Sequence, residues 1–341
     1  MADLFSTNVL NGVVASLLQP SSFLLDQFFP NIQTEQTEEI HFDVDTLKRR
    51  LAPFVSPLVE GKVVASRGFT TSTFKPAYVK DKRVFDANRP MKRSIGEQIG
   101  GSISPMERLR ALVAFELEEQ LQMLTRRLEV MASESVRTGK VTVVGDNYPS
   151  TVVDFGRTAG HTVVLTGGNK WDQAGVSPLN NLQDWAQTVL KTCGAMPGDV
   201  VMDVGTWKIF RANAEVQKKL DLSRMIGAAP PLNLGAQITE GGVFMGTADG
   251  FNIFVYSGWY IDDSGTEQPI LPNGTVLMGS KQIMGYRAFG AIRDEQAGFQ
   301  AVSYFVKSWV QEDPAVRYIM MQSAPLVVPY RVNASFCATV L

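Results

Sequence analysis

The stretch SPMERLRALVAFELEEQLQMLTRRLEVMASESVRTG, residues 104–139, decides the fold of this chain. It begins with a capping box at Ser104 and has proline at the first helical position. Apolar residues then recur every three or four positions, as on one face of an α-helix; they are Met106, Leu109, Val113, Leu117, Leu121, Leu124, Leu128 and Met131. Gly139 is favoured at the position just beyond a helix end, because glycine readily adopts the left-handed conformation found there. We expect one helix over 105–138, about 50 Å long; a coiled-coil seam is the alternative, but steps of four dominate over a 3.5-residue period.

Downstream of this helix the sequence alternates between strand and helix patterns. Two β-branched runs flank Gly145-Asp146-Asn147, which predicts a hairpin. A second amphipathic helix is expected from Ser177-Pro178 to Gly194. The run 225–243 is rich in Gly, Pro and Ala and is expected to be a loop. The remaining predicted elements are strands at 199–204, 251–256, 275–279, 324–330 and 336–341, and a short helix at 207–212. The class is α+β.

Upstream of the helix the charge is distributed in two blocks. Residues 1–47 contain seven acidic residues and no Lys or Arg, whereas the next fifty residues are strongly basic. Blocks of opposite sign favour contact between the two segments, within one chain or between neighbouring copies; two solvated surface segments are the alternative. The contact candidates are Glu35, Glu38, Glu39, Asp43 and Asp45 on the acidic side, and Lys62, Arg67, Lys75, Lys80 and Lys82 on the basic side.

The two charged segments also differ in their apolar pattern. The acidic one has short apolar clusters at 17–18, 23–25 and 28–29, separated by polar residues and by Pro20 and Pro30, and it is expected to be an extended arm with isolated anchors. The basic one, residues 55–85, is rich in β-branched and aromatic residues and is expected to form a two-stranded projection. An isolated projection of this kind is marginal in water, so we expect it to lie on another surface.

Composition excludes several classes of protein. A chain of 341 residues suggests about two domains. The net charge of −2 argues against a protein that grips nucleic acid with a basic face. No apolar run approaches the length of a membrane span, and the start lacks the positive region of a signal peptide. Cys193 and Cys337 are far apart, so neither a disulfide scaffold nor a cysteine zinc site is expected, and a reducing cytoplasm is the simplest compartment.

No catalytic, cofactor or metal site is predicted. The two histidines, His41 and His161, are too far apart for a helical zinc motif. The run 274–281 has the glycine spacing of a phosphate loop, but its interior, TVLM, favours a strand. Carboxylates that end predicted strands could serve an active site or simply form turns; they are Asp154, Asp203 and Asp262.

The order of parts, together with specific stretches, resembles the lambda-type bacteriophage major head proteins, which have the Hong Kong 97-type capsid fold. The similar stretches appear in the family's order from about residue 40 to the end; they are VSPLVEGKVVASRGFTTSTFKPAYVK (55–80), DFGR (154–157), TGGNKW (166–171), VYSGWY (255–260), LPNGTVLMG (271–279), GYRAFGAI (285–292) and KSWVQEDPAVRYIMMQSAPL (307–326).

The resemblance implies a subunit of an icosahedral phage head. It implies hexamers and pentamers, a procapsid that expands as double-stranded DNA is packaged, and assembly in the host bacterial cytoplasm before residence in the virion. The implied partners are the chain itself, portal and scaffolding proteins, a trimeric decoration protein and DNA bound without sequence recognition; no membrane and no cofactor are implied. The implied domains are an N-terminal arm (1–47), an extended β loop (48–99), a peripheral domain (100–174 and 291–341) with the spine helix at 105–138, and an axial domain (175–290).

Two alternatives differ in class. An encapsulin-like shell would use the same fold to hold an enzyme cargo. A soluble α/β enzyme, the more remote alternative, would place an active site at strand ends near Asp203 and Asp262.

Overall fold

The computed structural model describes residues 5–17, 22–37, 39–45, 51–52, 54–58, 60, 69–86, 89, 92, 103–145, 148–218, 241–313 and 316–341. The helices are α1 (Thr7–Ser16), α2 (Phe23–Phe28), α3 (Pro105–Thr138), α4 (Pro178–Cys193) and α5 (Val204–Ala212). The strands are β1 (Asn31–Thr34), β2 (Ile40–Asp45), β3 (Phe69–Phe74), β4 (Val79–Asp86), β5 (Lys140–Gly145), β6 (Tyr148–Asp154), β7 (Thr162–Val164), β8 (Asp199–Asp203), β9 (Gly242–Ala248), β10 (Phe251–Tyr256), β11 (Trp259–Ile261), β12 (Glu267–Pro269), β13 (Thr275–Gly279), β14 (Tyr286–Phe289), β15 (Phe305–Gln311), β16 (Val316–Ser323), β17 (Pro325–Val328) and β18 (Phe336–Thr339).

Helix α3 confirms the prediction from the 104–139 stretch at both ends. The Ser104 hydroxyl accepts the Glu107 N–H, and the Glu107 carboxylate accepts the Ser104 N–H at 2.9 Å. At the other end Gly139 adopts the left-handed conformation, with φ of 71°. Arg157 donates from Nη1 to the Val136 carbonyl at 2.6 Å, so a cation satisfies a carbonyl at the negative end of the helix dipole.

A six-stranded sheet lies beside α3 in the order β7-β18-β13-β8-β10-β9. Its central strands β13 and β8 are buried at every position, because neighbours cover both faces. Two of its strands, β7 and β18, come from segments expected to be peripheral, and the other four from the segment 175–290. The sheet therefore crosses the expected domain boundaries, and the numerical division into domains stays a prediction.

The described strands of the basic segment, β3 and β4, pair with strands outside 55–85, and residues 61–68 of the expected two-stranded projection lie outside the described residues. β3 pairs with β2, so the end of the acidic arm supplies its partner. β4 pairs with β16 over eight residues, and β16 also pairs with β15. These pairings were not predicted, because alternation and turn residues mark a strand but do not specify a distant partner, and the two-stranded projection stays a prediction.

The acidic segment is also more ordered than an extended arm. It forms helices α1 and α2, then β1, which pairs in parallel with β14. The side chains of Leu24, Leu25, Phe28 and Phe29 are completely buried within the same chain. These apolar anchors are therefore not isolated, since α3 and the sheets of the same chain cover them.

The predicted loop 225–243 lies outside the described residues up to 240, and its last two residues begin β9. The hairpin at 145–147 is confirmed by the antiparallel pair β5–β6, although 146–147 are outside the described residues. In the described part of the chain, no helix has the length and apolar character needed to cross a bilayer.

Candidate functional site

The strand-end carboxylates are used to hold turns and helix ends. Asp203 accepts the N–H groups of Gly205 and Thr206 at 2.8 and 3.1 Å, and that of Thr275 at 3.2 Å. It also accepts the Thr206 hydroxyl, so it is the N-cap of α5. Asp262 accepts the N–H groups of Ser264 and Thr266, and hydrogen bonds to this carboxylate lower its pKa. Both carboxylates accept hydrogen bonds from nearby N–H and O–H groups, as residues that cap helices and turns do.

Two side chains of the types that can act as nucleophiles or metal ligands, Cys337 and His161, are buried in the core. Burial raises the pKa of the Cys337 thiol to about 11, so it is protonated at neutral pH. The Nδ1 atom of buried His161 lies 3.0 Å from the Ser335 carbonyl, and burial lowers the pKa of this imidazole. Across the described ranges, no group of three or more His, Cys, Asp or Glu side chains could hold a metal ion.

A buried carboxylate joins the acidic arm to the rest of the chain. Glu129 of α3 accepts the N–H groups of Leu24 and Leu25 at 2.8 and 3.0 Å, at the start of α2. It also accepts the hydroxyl of Tyr256, the last residue of β10, at 3.0 Å. Burial is the main cause that raises the pKa of Glu129. A single glutamate within an amphipathic helix pattern gave no signal by which the sequence could reveal this junction.

Further contacts of α2 fix the arm at several points. The Phe23 ring lies 5.2 Å from the Phe254 ring, and Gln27 donates to Asp199 at 2.7 Å. Arg287 of β14 donates to the Phe29 carbonyl at 2.9 Å and to Asp26 at 2.6 Å. These contacts hold the α2 part of the arm, just before β1, against the rest of the chain.

Among the candidate acidic residues that the structure describes, Glu39 is exposed and Glu35 and Asp43 are half-buried. In β2 the buried residues Ile40, Phe42 and Val44 alternate with His41 and Asp43, and Glu39 directly precedes the strand. Asp43 accepts the hydroxyl of Thr71 on β3 at 2.5 Å. Among the other acidic candidates, Glu35 contacts Gln33 at 3.2 Å, Glu38 lies outside the described residues, and the Asp45 side chain is not described.

Three of the candidate basic residues, Lys75, Lys80 and Lys82, lie in the described part of the chain. Lys75 follows β3, and its carbonyl accepts the Tyr148 hydroxyl at 2.7 Å. Lys80 and Lys82 lie together on the exposed side of β4. Lys62 and Arg67 lie outside the described residues.

A basic and aromatic sheet face surrounds Lys82. The Lys82 ammonium lies 4.4 Å from the centre of the Tyr318 ring on β16, and Trp309 on β15 stacks on Tyr318 with ring centres 5.4 Å apart. Lys307 on β15 lies over Trp309 at 5.7 Å. The sequence analysis missed Lys307, Trp309 and Tyr318; the alternation KSWVQ in 307–311 was the available signal.

Exposed charged and aromatic side chains on a sheet face of this kind are suited to contacts with other chains. The family model for phage major capsid protein E matches residues 6–340, and the chain belongs to this family.

Similar proteins agree over nearly the whole length. The P21 prophage-derived major head protein of Escherichia coli O6:H1 is 30% identical over 334 residues, covering 95% of this chain and 96% of the relative. The major capsid protein of Escherichia phage lambda is 30% identical over 310 residues, covering 88% and 89%. A crystal structure of a prophage protein from E. coli CFT073 superposes with a TM-score of 0.75 at 24% identity, over 98% of this chain and 99% of that one.

These matches confirm the resemblance that the sequence showed. The chain is a major capsid protein of the lambda type with the α+β, Hong Kong 97-type capsid fold, and it is a component of the virion. It is a structural protein and not an enzyme, and it associates with itself. The phage-head interpretation is thereby supported over the encapsulin-like and enzyme alternatives.

Proposed function

We propose that the chain assembles into hexamers and pentamers of an icosahedral head that encloses double-stranded DNA. The observation that carries this proposal is the family match over residues 6–340, together with 30% identity to the lambda major capsid protein. The proposed domains are the arm (1–47), the extended loop (48–99), the peripheral domain (100–174 and 291–341) and the axial domain (175–290). The six-stranded sheet is shared between the peripheral and axial domains.

The surface of a single chain supports assembly. Large apolar side chains stand in solvent at two places far apart in sequence: Phe54 and Leu58 in the loop, and Trp259 and Ile261 in the β11–β12 hairpin. Trp259 is 58% exposed and Ile261 is 68% exposed. Exposed apolar groups of this size mark surfaces that other chains cover.

The proposed partners are portal and scaffolding proteins, a trimeric decoration protein on the outer surface, and packaged DNA. A net charge of −2 suits a wall that confines DNA by geometry rather than by neutralising phosphates. Assembly in the host cytoplasm and expansion of a procapsid during packaging belong to the same proposal.

The charge blocks supply the proposed contact between subunits. The acidic residues Glu35, Glu38, Glu39, Asp43 and Asp45 of one copy would meet Lys62, Arg67, Lys75, Lys80 and Lys82 of the next. Charges at an interface rim set specificity and register, while apolar contacts supply more of the affinity.

Sedimentation velocity of the purified chain, alone and after co-expression with a candidate scaffolding protein, tests the proposal. We expect a rapidly sedimenting particle, far larger than the 37.4 kDa chain. A monomer under every condition would contradict it.

A further inference from the structure

The two sides of the sheet β15-β16-β4 have opposite environments. On β4, Arg83 faces α3 and lies 3.6 Å from Glu116 and 3.5 Å from Glu119. Gln120 of α3 also donates to the Asp81 carbonyl at 2.9 Å. The inner side is therefore covered by the helix, and its cationic side chain is paired with carboxylates.

The outer side carries cations that no carboxylate of the described residues neutralises. Strand alternation places Lys80, Lys82 and Val84 on this side, and all three are exposed. Lys80 lies over the Tyr78 ring at 5.1 Å, and Lys82 over the Tyr318 ring at 4.4 Å. Within the described part of the chain neither lysine forms an ion pair, whereas neighbouring Lys307 is bonded to Asp294.

The aromatic rings make this face a defined surface rather than a set of mobile side chains. In the strand register Lys82 is opposite Met320, and Tyr318 is opposite both Val84 and Trp309. A ring face attracts an ammonium group without cancelling its charge. The lysines are thus positioned over aromatic rings, and their charge stays available to an incoming acidic group.

The arm of the same chain carries the complementary charge. Glu39 is exposed directly before β2, half-buried Asp43 lies on the side of β2 opposite the buried Ile40, Phe42 and Val44, and no Lys or Arg occurs anywhere in residues 1–47. Within one chain, among the described residues, Glu39 and Asp43 form no ion pair with Lys80 or Lys82.

We propose that the outer face of β15-β16-β4, centred on Lys82, Trp309 and Tyr318, is the docking surface for the acidic β2 strand of a second copy of this chain. This inference rests on the proposed assembly function and identifies the receiving surface within it. Lys80 and Lys82 supply charge complementarity, and Trp309 and Tyr318 supply the aromatic contact area that commonly dominates such interfaces.

A charge exchange across the interface tests the assignment. Lys82→Glu and Glu39→Lys should each reduce the yield of shells severalfold in low salt, because each places like charges against one another. The double variant should restore the yield, because the pair is opposite again. Asp43 is left unchanged because it holds Thr71. Lys191→Glu, on the exposed side of α4, makes the same change in net charge and should assemble normally.

The possible outcomes distinguish failure of the proposed docking surface from failure of the proposed assembly function. Circular dichroism and thermal unfolding should be unchanged in all four variants, since every altered side chain is exposed. Normal shells from Lys82→Glu would overturn the docking surface, and loss without recovery in the double variant would overturn the choice of β2 as its occupant. Normal shells that package less DNA would assign the face to nucleic acid instead. Failure of the unaltered chain to form any shell would overturn the assembly function itself.

Discussion

The carboxylate of Glu129 accepts a hydrogen bond of 3.0 Å from the hydroxyl of Tyr256, and both side chains are buried. Glu129 lies in the third quarter of α3, and Tyr256 ends a strand of the six-stranded sheet. The same carboxylate receives two backbone N–H groups of α2. One residue therefore fixes the relative positions of the arm, the long helix and the sheet.

Replacement of Glu129 by alanine should destabilise the folded chain strongly. The N–H groups of Leu24 and Leu25 and the hydroxyl of Tyr256 would lose their acceptor in a buried place. Unsatisfied buried donors cost about 1–3 kcal/mol each, so we expect a loss of about 3 kcal/mol or more in the free energy of unfolding. Urea denaturation of the unassembled chain measures it.

The control for this variant is Glu118→Ala, an exposed position on the same helix. It should change the free energy of unfolding by no more than about 0.5 kcal/mol. Equal effects of the two variants would show that Glu129 has no special role at the junction.

The free energy of unfolding should depend on pH, and the burial of Glu129 determines the direction of that dependence. The folded-state pKa of Glu129 is raised above its ordinary value of 4.5, so the folded chain binds this proton more readily than the unfolded chain. The contribution of this group is fully present below 4.5 and is lost as the pH rises through the folded-state pKa. Compared with Glu129→Gln, the native chain should gain stability on acidification from about pH 8 to about pH 5. If the stability of the native chain relative to Glu129→Gln does not change with pH, or falls on acidification, this prediction is contradicted.

Gly139 should be irreplaceable at the end of α3. Its φ of 71° disfavours any residue with a Cβ, and an added Cβ would collide with the Arg157 side chain. We expect Gly139→Ala to cost about 2 kcal/mol, measured by urea denaturation. Gly160→Ala, where no atom lies within 4 Å of the added Cβ, should be nearly neutral. Similar costs at both positions would mean that the helix end is not fixed by Gly139.

The buried thiol of Cys337 should be unreactive in the folded chain. Its pKa of about 11 leaves almost no thiolate at about pH 8, and the side chain is shielded from solvent. Reaction of the Cys193→Ser variant with a chromogenic disulfide reagent should therefore follow the rate of unfolding. One equivalent should react at once in concentrated urea. Rapid reaction without denaturant would contradict the burial of this strand.

Local patterns made α3 and α4 predictable from the sequence. The capping residues Ser104 and Ser177, and the left-handed residues Gly139 and Gly194, act within a few positions of the helix ends that they define. The family resemblance extended this to the α+β capsid fold, because similar stretches occur in one order along most of the chain.

Long-range pairing was beyond the sequence pattern. The segment 69–86 was correctly assigned to strands, but β3 pairs with β2 and β4 with β16, more than 200 residues away. The arm was similarly misjudged, because the clusters at 23–25 and 28–29 do not show which surface buries them. Lys80 and Lys82 were found from charge alone, whereas Trp309 and Tyr318 join them only through the register of the sheet.

Electron microscopy of the assembled product tests most directly whether this chain builds a closed shell. We predict closed, roughly spherical particles whose surface resolves into six-fold and five-fold clusters of subunits, each fitted by the fold described above. Particles without such clusters, or a field of separate monomers in the presence of every candidate scaffolding protein, would contradict it.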